Sequence, residues 1–118
     1  MIGLVVSLIT GCYYDVVTPA NTNAPPQFVS FSGDLQPIFD LNCNKQGCHD
    51  GVAHDPDLTP NNSYNALVNG GFVNTTIPDQ SILYTEVKSG SMPIGGSPLS
   101  AGDVQKILDW IRNGAPNN

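Results

Sequence analysis

Two thiols followed at once by an imidazole, in Cys43-Asn44-Lys45-Gln46-Gly47-Cys48-His49, constrain this chain more than any other stretch. That order is what covalent haem attachment needs. Each thiol can add across one vinyl group of a porphyrin. The histidine bonded to the second cysteine then lies under the iron as proximal ligand. The usual spacing is Cys-x-x-Cys-His; here four residues separate the cysteines, and the extra ones can loop out without moving the Cys48-His49 pair.

The rest of the composition narrows the setting. A length of 118 residues allows one domain with extras. The formal net charge of −6 argues against a nucleic-acid partner. No apolar run reaches the roughly 20 residues of a membrane-spanning helix. Residues 1–9 form a shorter apolar run that ends in Ile9-Thr10-Gly11-Cys12. That ending resembles the cleavage box of bacterial lipoproteins. The resemblance implies cleavage before Cys12 and lipid on its thiol. The absence of Lys or Arg ahead of the apolar run departs from the usual signal. A plain signal peptide and an intracellular N-terminus are the other two readings. The lipoprotein reading accounts for all three cysteines, with Cys12 lipidated and Cys43 and Cys48 on haem. It also implies an exported protein, on the periplasmic side or the cell surface, where haem is attached to such chains.

The chain divides into a signal segment (1–11), a tether (12–30) and a folded domain (31–118). Pro19, Pro25 and Pro26 among Asn and Thr residues read as a semi-extended tether with a reach of roughly 50 Å at about 3.1 Å per residue. Leu35, Ile38 and Phe39 have helical spacing, and Pro37 must stand in the first turn, so Asp34 is the expected N-cap. Residues 51–57 read as a loop. Thr59-Pro60 is the expected start of a second helix through Tyr64, Leu67 and Val68, ended by Gly70-Gly71. Pro78-Asp79 opens a third, with Ile82, Leu83 and Val87 on its apolar face and Gly90 closing it. The last helix is the clearest. Ser100 caps it, Val104, Ile107, Leu108 and Ile111 form the stripe, and Gly114 and Pro116 end it. No strand pattern competes, so the expected class is all-α with about four short helices. Such a small domain has a limited core, and a buried haem would supply apolar bulk.

The sixth iron ligand should come from far along the chain. Met92 lies in the loop Gly90-Ser91-Met92-Pro93-Ile94-Gly95-Gly96, just before the last helix, and is the only methionine beyond the signal segment. It is the expected distal ligand. His54 is five residues from His49 and reads as a solvated loop histidine. Tyr64, Tyr84 and Trp110 could donate to haem propionates, but each fits a core role as well. Trp110 is expected against the first helix near Phe39.

An apolar first helix, Cys43…Cys48-His49, a late Ser91-Met92-Pro93 loop and a capped helix ending Trp110-Ile111-Arg112-Asn113-Gly114-Ala115 together resemble class I cytochrome c. The resemblance runs from Phe31 to Pro116. It implies first and last helices that cross, one covalent haem c, and the ligand pair His49 and Met92. A His/Met iron has no open position for substrate, so the expected function is electron transfer between redox proteins, with a potential raised by the thioether. Those partners are expected at the membrane, to which lipid on Cys12 would hold the chain. Two other classes remain. A labile sixth position would make a haem sensor or enzyme. Cys43, Cys48, His49 and His54 are zinc-ligand types, although adjacent Cys48 and His49 rarely turn to one metal. A Cys43–Cys48 disulfide in an interaction domain is a further option.

Overall fold

The computed structural model describes residues 24–118. The signal segment, Cys12 and the tether as far as Asn23 lie outside the described residues. Four α-helices carry the fold: α1 (Gln36–Asn42), α2 (Ser63–Asn69), α3 (Ile82–Ser89) and α4 (Ala101–Arg112). Among the described residues there is no strand and no helix long and apolar enough to cross a membrane. The all-helical expectation is met.

The entry to α1 differs from the one expected. A π-helical turn over Phe31–Leu35 precedes it, and Ser30, not Asp34, is the N-cap. The Ser30 side chain accepts from Gly33 N, while the Asp34 carboxylate accepts from Ser30 N at 2.8 Å. The two residues therefore cap reciprocally, with Asp34 in the acidic partner's place. Leu35 and Gln36 donate five residues back, to Ser30 O and Phe31 O. Pro37 then falls at the second position of α1 and, having no N–H, sends no backbone bond back into the π-turn.

α2 also begins later than expected, at Ser63. The Thr59 hydroxyl donates to Asp57 Oδ1 at 2.6 Å and does not cap a helix N–H. A single turn closes first, with Asn62 N and Ser63 N both donating to Thr59 O. The third segment is split as well. Pro78–Gln80 form a 3₁₀ turn, and Ser81, extended at φ −59° and ψ 132°, separates it from α3. The Ser81 side chain accepts from Asn74 N at 2.8 Å, which tethers the preceding loop. α4 follows its expectation. Asp103 N donates to Ser100 Oγ at 3.1 Å, and all four stripe residues are buried. Gly114 takes the left-handed conformation (φ 96°) that stops the helix.

The core joins α4 to the π-turn and α3. Leu35, Leu67, Tyr84, Ile107, Leu108, Trp110 and Ile111 are fully buried. Trp110 does not meet Phe39 as a ring pair. Its ring lies 5.1 Å from that of Phe31 and 6.2 Å from that of Tyr64, and Phe31 passes the contact on to Phe39 at 6.0 Å. The π-turn brings Phe31 into the place the sequence suggested for Phe39. Each such aromatic pair contributes about 1 kcal/mol beyond its area burial. The four buried polar residues, Gln36, Ser63, Ser81 and Asp109, all make hydrogen bonds. The Gln36 amide accepts from Ser63 Oγ and donates to Leu58 O at 3.0 Å, which ties α1 to α2 and to the loop between them. Asp109 accepts from Gln27 N at 3.2 Å and Gln105 Nε2 at 2.9 Å.

The segment from Ala24 to Ser30, assigned by sequence to the tether, is tied to α4 and to the chain's last residue. Arg112 donates to Ala24 O at 2.7 Å, Asn113 Nδ2 to Gln27 O at 2.8 Å, and Asn118 Nδ2 to Val29 O at 3.3 Å. Val29 is buried in the core.

Candidate functional site

α1 ends at Asn42, and its C-terminal turn delivers Cys43, whose N–H still donates to Phe39 O at 2.8 Å. The four-residue spacer then turns back on itself. Cys48 N donates to Lys45 O at 2.9 Å, and Gly47 adopts φ 82°, a conformation natural to glycine. His49 N donates to Cys43 O at 3.0 Å, so the ends of the motif are clamped together by one backbone bond. The spacer residues Lys45, Gln46 and Gly47 are exposed. The extra length is thus accommodated outward.

His49 Nδ1 lies 3.0 Å from Pro56 O. A carbonyl only accepts, so Nδ1 carries the proton and Nε2 keeps its lone pair free for a ligand. Pro56 itself is placed by a loop with its own ties. Asp50 accepts from Gly47, Val52 and Ala53 N–H groups. The Ala53 and Val52 amides, with Gly47 next, hold its carboxyl below the usual carboxylate range. The Thr59 hydroxyl and N–H do the same for Asp57. Leu58 N donates to His49 O at 3.0 Å and closes the loop.

A cavity of about 220 Å³ opens beside this loop. Its walls are Cys43, His49, Pro56 and Leu58 from the motif and loop, Leu67 of α2, Phe72, the α3 residues Ile82, Leu83, Glu86 and Val87, and Met92, with Asp55 completing the lining. Apolar side chains dominate. An apolar body seated here takes that lining out of water, worth roughly 25 cal/mol per Å². Met92 N donates to Glu86 O at 3.1 Å, which fastens the Met92 loop to α3. Burial in this wall, and next the neighbouring Cys48 thiol, push the Cys43 thiol up to about 11.

Of the residues expected at the site, Cys43, His49 and Met92 share the cavity wall. Cys48 is exposed and outside it, next to His49 in the chain. Cys12 lies outside the described residues. His54 is exposed and absent from the wall. No three His, Cys, Asp or Glu side chains among the described residues gather as a metal ion would require, so the zinc arrangement gains no support. Two of the three donors considered for propionates are engaged by backbone. Tyr64 Oη donates to Ala115 O at 2.8 Å and Trp110 Nε1 to Pro116 O at 2.9 Å. Tyr84 is buried, its hydroxyl has no hydrogen-bond partner, and it does not line the cavity.

Sequence reasoning missed the Pro56 carbonyl, Phe72 and Glu86. A backbone carbonyl leaves no signature in residue types. Phe72, directly after the Gly70-Gly71 helix stop, is the one aromatic residue there and could have been singled out. No family model, curated protein or solved structure matches the chain.

Proposed function

We propose that this chain is a small electron-transfer protein of the class I cytochrome c kind. In this reading Cys43 and Cys48 carry one haem c through thioether bonds, His49 is the proximal ligand and Met92 the distal one. The observation that supports it most is the joining of Cys43, His49 and Met92 in one apolar wall, with His49 Nδ1 on the Pro56 carbonyl. These residues fit the group. The thiols supply two attachment points, the fixed tautomer leaves Nε2 free, and a thioether from a different loop faces the same space. Haem, when bound, supplies a one-electron couple.

The chain's own residues do the rest. Attachment through Cys43 and Cys48 makes the cofactor permanent. The Pro56 carbonyl orients the His49 ring and raises its basicity as a ligand. Leu58, Leu67, Phe72, Leu83 and Val87 exclude water from the cofactor faces. With His49 and Met92 both holding the iron, no position would be left for a substrate, and the bound group would serve electron transfer between redox proteins. Lipid on Cys12 would hold it to a membrane on the exported side, close to respiratory components.

Acid-acetone extraction of the purified full chain tests this directly. The visible haem absorption should stay with the protein, and replacing both Cys43 and Cys48 by Ala should abolish it. Haem that extracts, or a wild-type chain with no visible absorption, overturns the proposal.

A further inference from the structure

We infer that the strap Ala24–Ser30 is an edge that rests on a lipid surface, with Phe28 as its interfacial contact, so that the cavity faces away from the membrane. This rests on the lipid-anchor reading of Cys12.

Phe28 is 82% exposed, and the backbone on both sides of it is committed. Gln27 N donates to the buried Asp109 carboxylate, and Gln27 O accepts from Asn113 Nδ2. On the other side Val29 is buried and its carbonyl accepts from Asn118 Nδ2. The ring cannot turn into the core, because both its neighbours would first have to leave their partners. Rigid outward display suits an aromatic that enters the apolar edge of a lipid headgroup layer.

The chain upstream says what covers it. Arg112 holds Ala24 O at the end of α4, and residues 12–23 come immediately before that point in the chain. Phe28 is four residues further on. Cys12 stands twelve positions before Ala24, a span of about 40 Å at most when fully extended. A lipid at Cys12 therefore keeps the surface within about 40 Å of the strap, the part of the described domain nearest to it along the chain.

Charge points the same way. Asp50, Asp55 and Asp57 belong to the loop that walls the cavity, and Glu86 lines it. α4, which holds the strap, carries Lys106 and Arg112 against Asp103 and Asp109, so its charges balance. An anionic lipid surface repels the first group and tolerates the second. None of the strap residues or their partners Asp109, Arg112, Asn113 and Asn118 lines the cavity. A partner would then approach the cavity from the aqueous side.

The test uses the full lipidated, haem-loaded chain in vesicles of phosphatidylethanolamine and phosphatidylglycerol. With Cys12 acylated and Cys43 and Cys48 in thioethers, an introduced cysteine is the one free thiol. Phe28→Cys and, on the Met92 loop, Ile94→Cys (79% exposed in the parent chain) are spin-labelled separately. Relaxation by oxygen and by a water-soluble nickel chelate is then measured. The label at 28 should favour oxygen and be shielded from nickel several-fold relative to the label at 94. Equal nickel access at both positions, in a chain that sediments with vesicles, overturns this inference alone. A wild-type chain left in the supernatant overturns both it and the anchor reading. Shielding at 28 that persists without vesicles in the Cys12→Ser protein, with a doubled mass, assigns Phe28 to a second copy and overturns the membrane contact.

Discussion

Residue by residue, the site depends on groups whose chemistry is altered by where the chain puts them. Cys43 is the clearest case. Burial, and next the Cys48 thiol, push its pKa up to about 11 from an ordinary 9.0. Only the thiolate reacts with alkylating agents, so before haem is attached Cys43 should be protected at pH 8. Two units correspond to about a hundredfold less thiolate. Iodoacetamide labelling followed by peptide mass analysis should therefore modify Cys43 about a hundredfold more slowly in the folded unloaded chain than in urea. Equal rates would show that the wall around it does not form without cofactor. Met92 carries the second residue-level expectation. The oxidised loaded protein should show the weak near-infrared sulfur-to-iron band. Met92→Ala should remove that band, lower the potential and let added ligands bind. A band that survives the substitution would leave the distal position to another side chain.

For the elements, capping decided where helices begin, and the sequence carried the right residue types at ambiguous positions. Ser100 and the Val104, Ile107, Leu108, Ile111 stripe were legible because cap and period agree over twelve residues. At the first helix Asp34 was the expected cap, and Ser30, four residues earlier, took the role with Asp34 as its reciprocal partner. At the second, the Thr59 hydroxyl donates to Asp57 and accepts from the Asn62 side chain rather than from a helix N–H, and α2 starts at Ser63. These choices turn on hydrogen-bond competition within a few residues, which pattern alone does not rank. Ser100→Ala should destabilise the domain by about 1 kcal/mol through the lost N-cap, read as a lower denaturant midpoint with an unchanged slope. An unchanged midpoint would mean that packing of α4 alone sets its N-terminus.

Across the whole molecule, charge and the tie between chain ends govern how the protein meets others. Ten acidic residues against four basic ones leave a net −6. Electron transfer to a basic soluble redox protein should therefore slow as salt is added, since screening acts beyond about 10 Å at 0.1 M. Stopped-flow rates measured from low to high ionic strength test this, and a flat profile would argue for docking through uncharged surface. Tethering adds to the encounter rate without a tight interface. The binding of residues 24–30 along α4 shortens that tether from the length read in the sequence.

The helical class, the last helix and the grouping of Cys43, Cys48, His49 and Met92 as candidates were determined by residue order alone, because bonded neighbours and helical periods are local facts. Tertiary structure decided what no local pattern encodes. It put His49 and Met92, forty-three positions apart, on one cavity wall, and gave His49 its tautomer through the Pro56 carbonyl. It set the Phe31 ring against Trp110, with Phe39 behind it. It also folded the strap onto Asp109, Asn113 and Asn118. Those contacts join residues more than eighty positions apart, and backbone groups find partners at that range only once α4 is packed in place.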